Sequence, residues 1–93
     1  MPSIPEPLWR DATIVNELGL HARSAAKLAK LAQQAAGSVW LQTGLERIDA
    51  KQILDILTLA AGKGDRVQIG IETPADLAVL ERIVALFADG FGE

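Results

Sequence analysis

His21, Arg23 and Ser24 lie in the run Glu17-Leu18-Gly19-Leu20-His21-Ala22-Arg23-Ser24-Ala25-Ala26, which reads as the end of a strand, a glycine turn and the start of a small-residue helix. A histidine at a helix cap offers a neutral ring nitrogen as nucleophile near pH 7, because the reference pKa of imidazole is about 6.5. The backbone N–H groups of Ala22, Arg23 and Ser24 would receive an anion there, helped by the aligned peptide dipoles. Arg23 adds a planar fork of donors suited to phosphoryl oxygens. These are the parts needed to take up and release a phosphoryl group. A lone histidine near a helix start is also a common surface cap. Using Ser24 with His21 for acyl transfer or hydrolysis lacks a third group to orient the base.

The elements that position this run must share one core, since 93 residues make one domain of modest size. The chain has no cysteine and one histidine, so no disulfide framework, thiolate metal site or histidine-rich metal site is expected, and no other cofactor is implied. The net charge is −3, and Lys and Arg are spread singly, which argues against a nucleic-acid partner. No stretch approaches the roughly 18 consecutive apolar residues of a membrane span, so a cytoplasmic protein that binds no membrane is expected.

Met1 to Arg10, with Pro2, Pro5 and Pro7, reads as an N-terminal extension, and residues 11–93 as the single folded domain. Asp11 to Glu17 suits a short strand ended by the turn at Gly19. Ala25, Leu28, Ala29, Ala32 and Ala36 then recur on one helical face until Gly37. Ser38 to Gln42 alternates with Val39 and Leu41 inward and Trp40 outward, and Thr43-Gly44 turns into a strand from Leu45 to Ile48. Asp49 is a candidate cap for a helix from Ala50 to about Leu59 or Ala60, and Arg66 to Glu72 returns to period two with Val67, Ile69 and Ile71 inward. Thr73, Pro74 and Asp76 form the clearest helix start, followed by the apolar stripe Leu77, Leu80, Ile83, Val84 and Phe87, with a stop at Gly90. The order β-α-β-β-α-β-α predicts an α+β fold, with helices covering one side of a mostly antiparallel sheet. So small a core leaves no room for a deep substrate cavity, and favours a site at the surface.

The segment Gly19 to Ala26 resembles the active-site signature of the HPr family, the histidine-containing phosphocarriers of the bacterial phosphoenolpyruvate-dependent phosphotransferase system. The likeness continues through Asp49-Ala50-Lys51-Gln52-Ile53-Leu54 and runs to the C-terminus without an obvious gap. It implies an open-faced β-sandwich, with a four-stranded antiparallel sheet covered on one face by three helices. It also implies that His21 is phosphorylated on Nδ1 by Enzyme I, that Arg23 holds the phosphoryl group, and that an EIIA-type protein accepts it. Two positions depart from the common pattern. Ser24 replaces the usual proline after the arginine and retains an N–H that proline lacks. Gln52 stands where many members carry a regulatory serine, so serine control by a kinase is not expected there. Together with Ala85 to Phe91, these departures resemble the regulatory, nitrogen-type branch (NPr) more than the sugar-transport branch.

The middle helix carries more apolar residues than one buried face absorbs. If Ile56 and Leu59 turn inward, Ile53, Leu54 and Leu57 are left as a small exposed patch for partner contact, rimmed by Lys27, Lys51 and Arg47. The leading expectation is therefore a monomeric phosphoryl-transfer intermediate, a phosphohistidine carrier rather than a stand-alone enzyme. The competing readings are a non-catalytic regulatory binding module of the same fold and a sugar-transport HPr.

Overall fold

The computed structural model describes residues 7–93. Its order is β1 (Leu8–Thr13), α1 (Ala22–Ala32), β2 (Val39–Thr43), β3 (Glu46–Asp49), α2 (Ile53–Thr58), β4 (Arg66–Ile71) and α3 (Leu77–Ala88), with short 3-10 turns at Pro74–Asp76 and Gly90–Gly92. The strands form one antiparallel sheet in the order β1-β4-β2-β3. This is the four-stranded sheet with three helices expected from the pattern.

Alternation along the strands decides which sheet face is covered. Val39, Leu41, Val67, Ile69 and Ile71 point into a core completed by Leu28, Ile56, Leu80, Ile83 and Phe87, all buried. Each such side chain contributes roughly 1.5–3 kcal/mol relative to exposure. The opposite face carries Trp40, as the alternation requires, level with Gly70 on β4 and with Trp9 beyond it on β1. A Cβ on Gly70 would stand 2.7 Å from ring carbons of Trp9, so the indole lies directly on the glycine backbone.

Several boundaries differ from the expectation. The first strand runs from Leu8 to Thr13 instead of Asp11 to Glu17, because its six residues pair one for one with Arg66–Ile71. Leu8 to Arg10 therefore belong to the sheet, whereas Met1–Glu6 of the expected extension lie outside the described residues. Helix α1 stops at Ala32, short of Gly37, and the amides of Ala36 and Gly37 go to the Asp76 carboxylate, both at 2.8 Å. The hairpin turn sits at Gly44-Leu45, one residue later than Thr43-Gly44, with Gly44 at φ +54°.

The two later helices also start differently. Asp49 does not cap α2; its Oδ1 accepts the N–H of Lys51 at 2.8 Å in a local turn, and the helix begins at Ile53. Thr73 makes no capping hydrogen bond, and the tight turn Pro74–Asp76 precedes α3. The change of winding alters the buried stripe: Leu77 is 41% exposed and Val79 takes a buried place beside Leu80, Ile83 and Phe87. Leu59 and Val84 are half-buried.

Candidate functional site

Helix α1 begins at His21, whose backbone is extended (φ −114°, ψ −175°) and whose side chain caps the helix. The N–H of His21 donates to Ser24 Oγ at 2.9 Å, while Ser24 Oγ donates to Gly19 O at 2.8 Å. Ser24 is fully buried, so its hydroxyl braces the turn and does not face an incoming anion. Of the expected phosphate-binding residues, Ala22 and Arg23 are exposed at the helix start.

Gly19 makes the approach to the site possible. At φ +64° it lies where L side chains are strained, and an added Cβ would stand 2.6 Å from Ala61 O. Leu20 N–H donates to that same Ala61 carbonyl at 3.0 Å, which ties the histidine turn to the chain leaving α2. Leu20 itself is buried, and so plugs the turn into the core.

The imidazole is engaged at both nitrogens. Arg23 N–H points at His21 Nδ1 at 3.4 Å, and His21 Nε2 lies 2.5 Å from Glu93 Oε2. The His21 and Glu93 side chains are 29% and 17% exposed. The Arg23 guanidinium joins none of the ion pairs among the described residues. The first turn of α1 contains no acidic residue, and the carboxylate that reaches this end of the helix is that of Glu93, on His21 Nε2.

Two residues of this cluster escape sequence reasoning: Asn16 and Glu93. Asn16 Nδ2 donates to Gly19 O and to Glu93 Oε1, both at 2.9 Å, and its Oδ1 is buried without a partner. Turning the amide over would set its oxygen against two acceptors, which fixes the orientation given. The Glu93 carboxyl is held below its ordinary value, chiefly by the Asn16 hydrogen bond, against partial desolvation and with help from His21 and Lys27. The chain is brought back to the site by Gly90, Phe91 and Gly92, all at positive φ, with Phe91 buried edge-on against Phe87 at 4.8 Å. The glycines flanking an aromatic residue are the only local signal of this return.

The expected partner residues divide. Ile53 and Leu54 on α2 are exposed, Leu54 to 76%, whereas Leu57 is half-buried against the core. Helix α2 packs against α1, the helix that His21 caps. The three cations do not form the expected rim. Lys27 Nζ donates to Phe91 O at 2.5 Å and Lys51 Nζ to Ala35 O at 3.1 Å, because nearby carbonyls left by turns capture these long side chains. Arg47 lies on the far sheet face, with its guanidinium 4.9 Å from the Trp9 ring centroid and 6.0 Å from that of Trp40. Val15 and Leu18, exposed beside His21, are apolar surface that the pattern did not flag.

This arrangement presents at the surface an imidazole whose Nδ1 faces a helix amide, beside a guanidinium that joins no ion pair among the described residues. Residues 9–89 match the family described as PTS HPr component phosphorylation site. The chain is similar to Phosphocarrier protein HPr of Cupriavidus necator, at 41% identity over 92% of this chain and 97% of that one. It also resembles Phosphocarrier protein NPr of Shewanella violacea, at 39% identity over 92% and 94% of the two chains. A crystal structure of HPr from Thermoanaerobacter tengcongensis superposes with a TM-score of 0.87 at 28% identity, covering 92% of this chain and 97% of that one. The chain belongs to the HPr family of phosphocarriers of the phosphotransferase system.

Proposed function

We propose that this protein is a cytoplasmic, monomeric phosphocarrier that accepts a phosphoryl group on His21 Nδ1 from phosphorylated Enzyme I and donates it to an EIIA-type protein. The observation that carries this reading is a half-buried imidazole capping the start of α1, with Nε2 on the Glu93 carboxylate and Nδ1 facing the Arg23 amide. The Nδ1 lone pair forms a bond to phosphorus as the bond to the donor breaks, and the electron pair of that bond leaves with the donor. The amide now pointing at Nδ1 then meets a phosphoryl oxygen, with Arg23 supplying the second charge. Partner proteins complete the in-line geometry, so no deep pocket is required.

Ile53 and Leu54 form an exposed apolar patch on the helix packed against α1, which supports them as contacts for both partners. Gln52 has no hydroxyl to phosphorylate, and with the Ala85 to Phe91 stretch it supports a regulatory, nitrogen-type setting. Incubation with phosphoenolpyruvate and Enzyme I is expected to add one acid-labile phosphoryl group by intact mass, and His21→Ala to abolish it. Absence of added mass on the unmodified protein rejects the carrier role. Transfer onward to a sugar-specific EIIA alone, with none to a nitrogen-type EIIA, rejects the regulatory setting.

A further inference from the structure

His21 Nε2 and Glu93 Oε2 are 2.5 Å apart, and Asn16 Nδ2 holds the other oxygen of the same carboxylate at 2.9 Å. Of the two ring nitrogens, Nε2 meets an ionised acceptor and must carry hydrogen to use it. Nδ1 meets an N–H donor from Arg23 and must present its lone pair. Both contacts select one tautomer, the one whose free lone pair lies at the helix start.

We infer that Glu93 is a positioning residue that keeps the hydrogen of His21 on Nε2 through both uptake and release of the phosphoryl group, with Asn16 holding the carboxylate in place. The inference rests on the proposed phosphorylation of Nδ1. On uptake the Nδ1 lone pair bonds to phosphorus, no proton leaves the ring, and the positive charge that develops is shared with Nε2–H beside the Glu93 carboxylate. On release the electron pair of the nitrogen–phosphorus bond returns to Nδ1, and the neutral Nε2–H ring is restored. The ring is ready for the next cycle without a proton exchange. The carboxylate never touches the phosphorus, and its action passes through the imidazole, as in other carboxylate–histidine pairs.

The placement of Glu93 is built into the fold. Buried Phe91, the Lys27 hydrogen bond to its carbonyl and the three positive-φ residues fix the tail that carries Glu93. Asn16 is itself buried and bonded to the glycine turn that precedes His21. One side chain therefore sets both the turn and the carboxylate.

The test compares the unmodified chain with E93A and E93Q by nitrogen-15 NMR of the imidazole at a pH where the ring is neutral, alongside the rate of phosphorylation by Enzyme I. The unmodified chain is expected to show Nε2–H alone. E93A is expected to show a mixture of tautomers and a rate about tenfold lower, the size of one lost hydrogen bond to a charged group. E93Q is expected to fall between, since one amide oxygen serves only one of the two donors. An unmodified chain and E93A with the same nitrogen signature and the same rate overturn the positioning role and leave the carrier reading standing. Failure of the unmodified chain to accept phosphate overturns the carrier reading, while the NMR comparison alone still decides whether Glu93 sets the tautomer.

Discussion

Asp76 and Glu93 each collect two hydrogens, at opposite ends of α1, and they serve different purposes. Asp76 is buried, and its oxygens accept the amides of Ala36 and Gly37 just beyond the helix. Glu93 stays near the surface at the start of the helix, and accepts from Asn16 and from the ring of His21. Backbone donors never change their protonation, so the Asp76 cluster can only hold the fold together. An imidazole donor changes its charge and bonding when its other nitrogen reacts, so the Glu93 cluster couples position to chemistry. A carboxylate with two hydrogen bonds is thus a clamp or a site element according to its donors and its exposure.

Asp76→Ala is the strongest way to break this contrast. It removes two charge-assisted hydrogen bonds and leaves two partly buried amides without their acceptor, an expected loss of about 3 kcal/mol. For a domain of this size that lowers the melting temperature by more than about 10 °C. Phosphorylation of the folded fraction by Enzyme I is expected to keep its unmodified rate. A variant with the original denaturation midpoint shows that Asp76 is no clamp, and a folded variant that transfers slowly shows that the two ends of α1 are coupled.

Arg23→Ala sharpens the other side of the comparison, with a smaller effect. The guanidinium is exposed and joins no ion pair among the described residues, so its removal is expected to change stability by less than about 0.5 kcal/mol. Its proposed work appears only when phosphoryl charge arrives, and a lost hydrogen bond to that charge is expected to slow transfer about thirtyfold. Slowed transfer with an unchanged unfolding midpoint supports that division. An unchanged rate assigns the charge stabilisation to the helix amides alone.

The parts legible in the sequence are those written in short periods. Alternation placed Val39 and Leu41 inward and Trp40 outward, and the spacing of Leu28, Ala29 and Ala32 marked the buried face of α1. The histidine turn was legible because glycine, histidine and the helix start are adjacent. Strand β1 was displaced toward the N-terminus because the length of β4, distant in the chain, fixes which residues pair. The role of Asp76 was misread for a related reason: its two amide donors lie 40 and 39 residues away. Asn16 and Glu93 meet across 77 residues, and no spacing rule reaches that far. Lys27, Lys51 and Arg47 were assigned to a rim by charge alone, whereas long cationic side chains bind whichever carbonyl or aromatic face the fold brings within reach.

The smallest effect separates the two carboxylates by pH. The Asn16 hydrogen bond chiefly lowers the Glu93 carboxyl, with His21 and Lys27 adding to it against partial desolvation. A carboxyl that ionises at lower pH in the folded chain than in the unfolded one contributes stability above the unfolded value. That contribution is lost as pH falls through the folded value, where Asn16 and His21 face a neutral acid. The unfolding free energy of the unmodified chain is therefore expected to fall more steeply on the acid side than that of Glu93→Gln, with the two curves parallel at neutral pH. The difference between the curves reports Glu93 together with its contacts to Asn16 and His21, because every other carboxylate is common to both. Curves that stay parallel into acid show that the folded contacts with Asn16 and His21 do not favour the ionised carboxylate over the neutral acid.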